Sequence, residues 1–411
     1  MPQWQDYSTG ERTKILRGRR LSQAGLAEIS GLSVATIQNV EQNKRSSLPT
    51  LMKIADALHV DLSVLLGEQA PRRAMAQDDR RMIRGLSRAV HDTAAGILPG
   101  DVEPADLAEL QQTTDRCWDL YWRGRYVEAG TVVAPFLTAA AARLREQPVG
   151  QQTPALGVLS DAYRLAAYVA NLMGARDLAY SAIGHAQVAA ERAADDMRVA
   201  LVSSGRSWVY LRDARLPEAL ALAEKSASDI EPRFSKATPE ELTAYGSHVN
   251  FAAVVASRMG DKERAADFLS QSHATGARMG REVKAHGTLF GPVTATTQAV
   301  GIKVALGQTS AALALIDSIY DVSGLTDAAR NRYAMDKAMA HADAKQWDAS
   351  LDTLEQTLRS APDWARHQAM PGVIVQKVGR ASTAQLRRVS ELIGVAPGVH
   401  EFPPATRRTA L

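Results

Sequence analysis

The chain has 411 residues, 45% hydrophobic and 23% charged, with 48 Lys and Arg against 45 Asp and Glu for a formal net charge of +3. This balance excludes a disordered or collagen-like chain, leaves room for two or three cores unless the sequence is a repeat array, and makes any basic surface a local matter. A single cysteine, Cys117, excludes an internal disulfide and a cysteine-rich zinc site.

The opening residues MPQWQDYSTG lack the basic and apolar regions of a signal peptide. No run approaches the roughly 18 uninterrupted apolar residues of a membrane span, so a cytoplasmic location without a membrane partner is expected. GERTKILRGRR (10–20) reads as a first helix, with Ile15 and Leu16 inward and Arg12, Lys14, Arg17, Arg19 and Arg20 outward; it carries Gly18 in its interior. In the next stretch, LSQAGLAEISGLSVATIQNVEQNKR (21–45), Ser22 is placed to cap a helix running to about Ser30, Gly31 suits a left-handed turn, and Ser33 caps another helix. Leu21, Leu26, Ile29, Ile37 and Val40 fall where those two helices would face a small core. Thr36, Gln38, Asn39 and Gln42 fall on other faces, leaving a polar side free. Asn43 follows in a position for a left-handed turn. PTLMKIADALHV (49–60) is amphipathic, with Leu51, Ile54, Ala55 and Leu58 inward, and DLSVLLG, capped by Asp61, ends at Gly67.

Residues 10–67 resemble the phage-repressor (XRE-like) type of five-helix helix-turn-helix domain. The resemblance implies that double-stranded operator DNA is a partner, read by a homodimer because one recognition helix covers only a few base pairs. By position it implies base readout by Val34, Ala35, Gln38 and Asn39, with Asn39 suited to adenine and Val34 and Ala35 to thymine methyl groups. It also implies phosphate contacts from Gln23, Ser33, Lys44, Arg45 and Arg19.

Residues 68–104 read as a basic, partly helical linker. The segment 70–88 holds six arginines against two aspartates, with an apolar stripe of Met82, Ile83, Leu86 and Val90; AGILPGDVEP then looks like a break. From 105 to 400 there is no strand-like alternation. Six turn motifs recur instead: GRYVEA (124–129), GARDLA (174–179), ARLPEA (214–219), GDKERA (260–265), GQTSAA (307–312) and KQWDAS (345–350). The first five end on Ala, and in the sixth Ala349 takes that place before Ser350. The Trp118, Tyr121, Gly124, Tyr126, Glu128, Ala129 pattern makes these hairpins resemble tetratricopeptide repeats, which stack into a right-handed superhelix lined on its concave face by the first helix of each pair. Residues 401–411 form a tail. The expected fold is therefore all-α.

With its GTLFGP segment (287–292), the whole order resembles a family of actinobacterial transcriptional regulators, and in domain order alone the peptide-pheromone-sensing regulators of Gram-positive bacteria. It implies a regulator whose repeats bind a short peptide or partner protein. Polar and aromatic side chains on first helices are the candidate groove: Tyr163, Asn171, Arg206, Tyr210, Tyr245, Asn250, Phe251, Thr294, Thr297 and Gln298. The alternative is a repeat scaffold with only non-specific DNA affinity. No nucleophile elbow, phosphate loop or metal-ligand spacing occurs, so no catalysis, cofactor or metal is expected; His248, His286 and His341 read as packing or surface residues, and Cys117 as a buried small hydrophobe.

Overall fold

The computed structural model describes Trp4 and residues 7–18, 21–44, 46–58, 60, 62–67, 77–100, 102–379 and 384–393. The expectations for Arg19, Arg20, Arg45, Asp61, the first part of the linker and the tail lie outside these residues. The amino-terminal module comprises α1 (Thr9–Arg17), α2 (Gln23–Ser30), α3 (Val34–Glu41), α4 (Leu48–Ala57) and α5 (Leu62–Leu66). Each of the first four starts on a serine whose hydroxyl accepts a backbone N–H of the first turn: Ser8, Ser22, Ser33 and Ser47. Gly31 takes the left-handed conformation at φ 63°. Gly18 is not interior: at φ 64° it terminates α1.

Leu26, Ile37, Val40, Leu51, Ile54, Leu65 and Leu66 form the module's core. Two apolar residues expected there face outward, Ile15 at 48% and Ile29 at 60% exposure. The buried stripe of α2 centres on Leu26 and Ala27, and at 3.6 residues per turn Ile29 falls beyond its edge. Arg12 is reversed in the other sense and is fully buried. Its Nε donates to Leu65 O at 2.9 Å, Nη2 to Leu66 O at 2.7 Å and Nη1 to Trp4 O at 3.2 Å. It thereby satisfies carbonyls at the end of α5 that have no partner within that helix.

The remaining helices form one body: α6 (Gln77–Ala94), α7 (Leu107–Trp122), α8 (Tyr126–Glu146), α9 (Thr153–Leu172), α10 (Arg176–Arg192), α11 (Asp196–Arg212), α12 (Leu216–Asp229), α13 (Pro239–Met259), α14 (Lys262–Met279), α15 (Pro292–Ala305), α16 (Thr309–Ser318), α17 (Asp327–Asp343), α18 (Trp347–Ser360), α19 (Pro362–Ala365), α20 (Met370–Val378) and α21 (Ala384–Ile393). From α7 to α18 they pack as consecutive hairpins, each against the next. The turn motifs explain why. Their first residues, Gly124, Gly174, Ala214, Gly260, Gly307 and Lys345, all have positive φ, between 58° and 82°, which glycine adopts without strain. Their sixth residues, Ala129, Ala179, Ala219, Ala265, Ala312 and Ser350, are all 0% exposed, so a larger side chain would push the paired helices apart. In the last motif Ser350, not Ala349, holds this place, donating its hydroxyl to Ala338 O at 2.8 Å.

Met82, Leu86 and Val90 of α6 are buried, and this helix packs on α8, α9 and α10. By packing, the second half of the expected linker belongs to the body. The last helices return to the first: α17 reaches α7, the Trp364 side chain lies against Gly124, and Arg366 pairs with Asp79 at 3.4 Å. α8, with 21 residues, is long and apolar enough by composition to cross a membrane; it carries Pro135 in its interior and packs against α6, α7 and α9. Cys117 is fully buried, and burial pushes its thiol up to about 12.

One strand pair departs from the all-helical expectation. β1 (Val283–Ala285) and β2 (Thr288–Phe290) pair antiparallel between α14 and α15, joined by His286 and Gly287 at φ 52° and 71°. Positive φ at both central residues is the geometry of a type I′ turn, which suits the twist of paired strands.

His248 on α13 is enclosed, with Nδ1 positioned 3.2 Å from Ser226 O as a donor in the neutral ring. Burial outweighs that hydrogen bond and lowers its pKa to about 4. The unfolded chain takes up this proton below about pH 6.5 while the folded chain does not. Stability should therefore be full above pH 6.5 and fall toward pH 4, by roughly 3 kcal/mol for this residue. Denaturant unfolding at stepped pH should show the loss shrinking in His248→Asn, with the share from His367, also lowered to about 4 by burial, remaining; an unchanged slope would place the proton uptake elsewhere.

Candidate nucleic-acid interface

The second and third helices are held at their crossing angle by a polar network on their inner side. Glu41, on the last turn of α3, is buried, accepting from Arg17 Nε at 2.6 Å and from Gln23 Nε2 at 2.6 Å. Three helices thus meet on one carboxylate. Asn43 has φ 53°, the left-handed value expected for it. Its side chain supplies what a glycine could not: Oδ1 accepts from Gly10 N at 2.9 Å and Nδ2 donates to Ser8 Oγ at 2.9 Å, tying the exit of α3 to the start of α1. Gly10 is needed there, because a Cβ would lie 2.5 Å from Glu41 O.

With Ile37, Val40 and Glu41 turned inward, the outer face of α3 presents Val34, Ala35, Gln38 and Gln42 exposed and Asn39 half-buried. The four positions of the expected base-reading set, Val34, Ala35, Gln38 and Asn39, thus share one face at helical spacing, with Gln42 beside them. Ser33 is exposed at the helix start, where its hydroxyl caps Thr36 N, and Lys44 is exposed just beyond the end. Gln23 differs from the other expected phosphate contacts because its amide is engaged by Glu41. Helix α3 offers an apolar pair for methyl groups, two carboxamides for base edges and a cation beside them, a set suited to the major groove. Lys44→Ala is expected to weaken binding to all DNA sequences alike and to lower the salt slope by roughly one unit. Anisotropy titrations over a salt series measure this, and an unchanged slope would place Lys44 away from phosphate.

The module is seated on the body by its opposite side. Met52 of α4 joins the apolar cluster of Leu211, Leu216 and Leu220, and Gln376 of α20 donates to Thr9 Oγ1. The α3 face remains open.

The candidate groove residues are dispersed and mostly enclosed. Tyr163, Asn171, Tyr245, Asn250, Thr294 and Thr297 are buried. Tyr163 bonds Thr93 Oγ1 at 2.8 Å and borders a cleft of about 280 Å³ with His185, Arg145 and Arg192. Tyr245 donates to Gln271, Asn250 accepts from Ser272, Thr294 meets Glu282, and Thr297 bonds back to Val293 O. Asn171 Nδ2 and Arg206 Nε are enclosed without a hydrogen-bond partner among the described residues. Tyr210 lies under the Arg215 guanidinium at 4.0 Å, Phe251 packs on the Met52 cluster, and Gln298 is half-buried. They do not form one continuous open surface.

What does converge escaped the residue-by-residue reading. Trp118, Tyr121 and Trp122 of α7 pack on one another, and Trp118 and Tyr121 meet Tyr168 of α9, which in turn meets Trp208 of α11. Arg164 lies over Trp118 at 4.9 Å and Arg212 over Trp208 at 5.9 Å. The signal was an arginine and an aromatic four residues apart on successive first helices, Arg164 with Tyr168 and Trp208 with Arg212. Among the described residues, no group of three or more His, Cys, Asp or Glu could hold a metal ion.

A capped helix pair with an open α3 face on a five-helix core defines a helix-turn-helix module. A family model described as helix-turn-helix matches residues 14–65, which covers α2 to α4, the last turn of α1 and most of α5. The amino-terminal segment is thus a helix-turn-helix domain of the repressor type, which suggests a DNA-binding transcription regulator. No curated protein matches the chain.

Proposed function

We propose that the chain is a sequence-specific transcription regulator, acting in the cytoplasm as a homodimer, that reads operator DNA through α3 and senses a short peptide or partner protein through a tetratricopeptide-like body. The open face of Val34, Ala35, Gln38 and Asn39, on a module whose other side is docked, carries this reading. A single α3 covers only a few base pairs, so two copies on half-sites about 34 Å apart supply the affinity. The body holds both the module, through Met52, and the adjoining α6. A ligand that binds two arrangements of the body with different affinity would therefore change the placement of the two α3 helices without altering either one.

Retardation of DNA from the chain's own promoter, titrated with salt beside random DNA, tests the reading. Selective binding that survives near physiological salt is expected. Uniform weak binding that vanishes there would instead leave a repeat scaffold with non-specific DNA affinity.

A further inference from the structure

The turn of the β1–β2 hairpin rests on the aromatic surface of α7 and α9, far from it in sequence. Gly287 lies so flat on Trp118 that a Cβ would stand 2.2 Å from the indole. Arg164, whose side chain is 4% exposed, donates Nη2 to His286 O at 2.8 Å while its Nε, enclosed, has no partner among the described residues. Asp161 holds Arg164 at 3.3 Å and Arg198 at 3.1 Å, so the guanidinium is fixed before anything binds it. Both tip contacts are to peptide backbone, a carbonyl and the bare face of a glycine. The hairpin is anchored elsewhere: Phe290 fills a socket at Gly246, Ser247 Oγ meets Thr288 Oγ1 at 2.8 Å, and Glu282 accepts from Val293 N at the start of α15.

We infer that the Trp118–Arg164 surface is a binding site for peptide backbone with a small residue over the indole, and that the hairpin tip is its resident occupant. A buried arginine that already holds Asp161 and the His286 carbonyl and still has its Nε unused is poised for a further acceptor, and the aromatic row continues from the covered Trp118 through Tyr168 to Trp208. A tethered occupant acts at an effective concentration on the order of millimolar, so an incoming peptide must compete with it. Identifying this site with the effector's rests on the sensor reading above; the site itself does not.

The test uses the full chain and a fluorescein-labelled peptide of the tip sequence, KAHGTL (284–289). Gly287→Val sets a β-branched residue at φ 71° and drives it into Trp118, expelling the tip. That variant is expected to bind the peptide about ten-fold tighter than the parent or better, and Arg164→Ala in the same background should remove the gain. Equal affinity in parent and variant overturns the inference, as does a gain that survives Arg164→Ala. Should Gly287→Val not fold, the pair Ser247→Cys and Thr288→Cys serves instead, since the sole native cysteine is buried. Oxidation to lock the hairpin should weaken peptide binding about ten-fold relative to the reduced form, and unchanged affinity overturns the site. Operator affinity in the same samples keeps the two readings apart: absent peptide binding refutes the site, whereas bound peptide with unchanged operator affinity refutes the sensor reading alone.

Discussion

Arg12→Ala is expected to unfold the helix-turn-helix module while leaving the body intact. The substitution removes the donors of Leu65 O, Leu66 O and Trp4 O and opens a cavity where the guanidinium packs on Gly67. Each buried carbonyl left without a partner costs about 1 to 3 kcal/mol, and a core of this size supplies only about 3 to 5 kcal/mol in all. DNA retardation should vanish on every sequence, and limited proteolysis should release a stable fragment beginning near α6. Retained binding with an unchanged unfolding midpoint would mean that Arg12 is not what closes the module.

The second large effect is expected at Phe290. Its ring is fully buried in a socket that exists because Gly246 has no side chain; a Cβ there would lie 2.1 Å from the ring. Phe290→Ala should destabilise the body by about 3 to 5 kcal/mol and free the hairpin from α13. Thermal unfolding of the full chain should show the body's transition lowered and the module's unaffected. A change no larger than that of half-buried Phe251→Ala would show that the socket relaxes around the cavity.

Local signals were legible, and those that depend on distant partners were not. Ser22, Gly31, Ser33 and Asn43 could be placed because caps and left-handed turns are decided by a few adjacent residues. Arg12 could not, because two of its acceptors, Leu65 O and Leu66 O, are more than 50 residues away at the end of α5. Four of the six hairpin turns were visible as a glycine followed five residues later by alanine, and the other two by the same small sixth residue, since both requirements are local. The β1–β2 pair escaped, its strands of three residues being too short to show alternation. Its seat on Trp118 and Arg164 could not be read either. Helical periodicity says which residues share a face, but not that another segment of the chain lies on that face.

The most direct measurement is the ratio of affinities for a selected operator and a scrambled duplex, taken for the parent chain and for Asn39→Ala at fixed salt. Asn39 is the half-buried carboxamide on the α3 face, suited to the major-groove edge of adenine. The account predicts a parent ratio of roughly 10³ or more. Asn39→Ala should lose about 1 to 3 kcal/mol on the selected site and almost nothing on the scrambled one. Equal losses on both duplexes, or a parent chain that does not distinguish them, would contradict it.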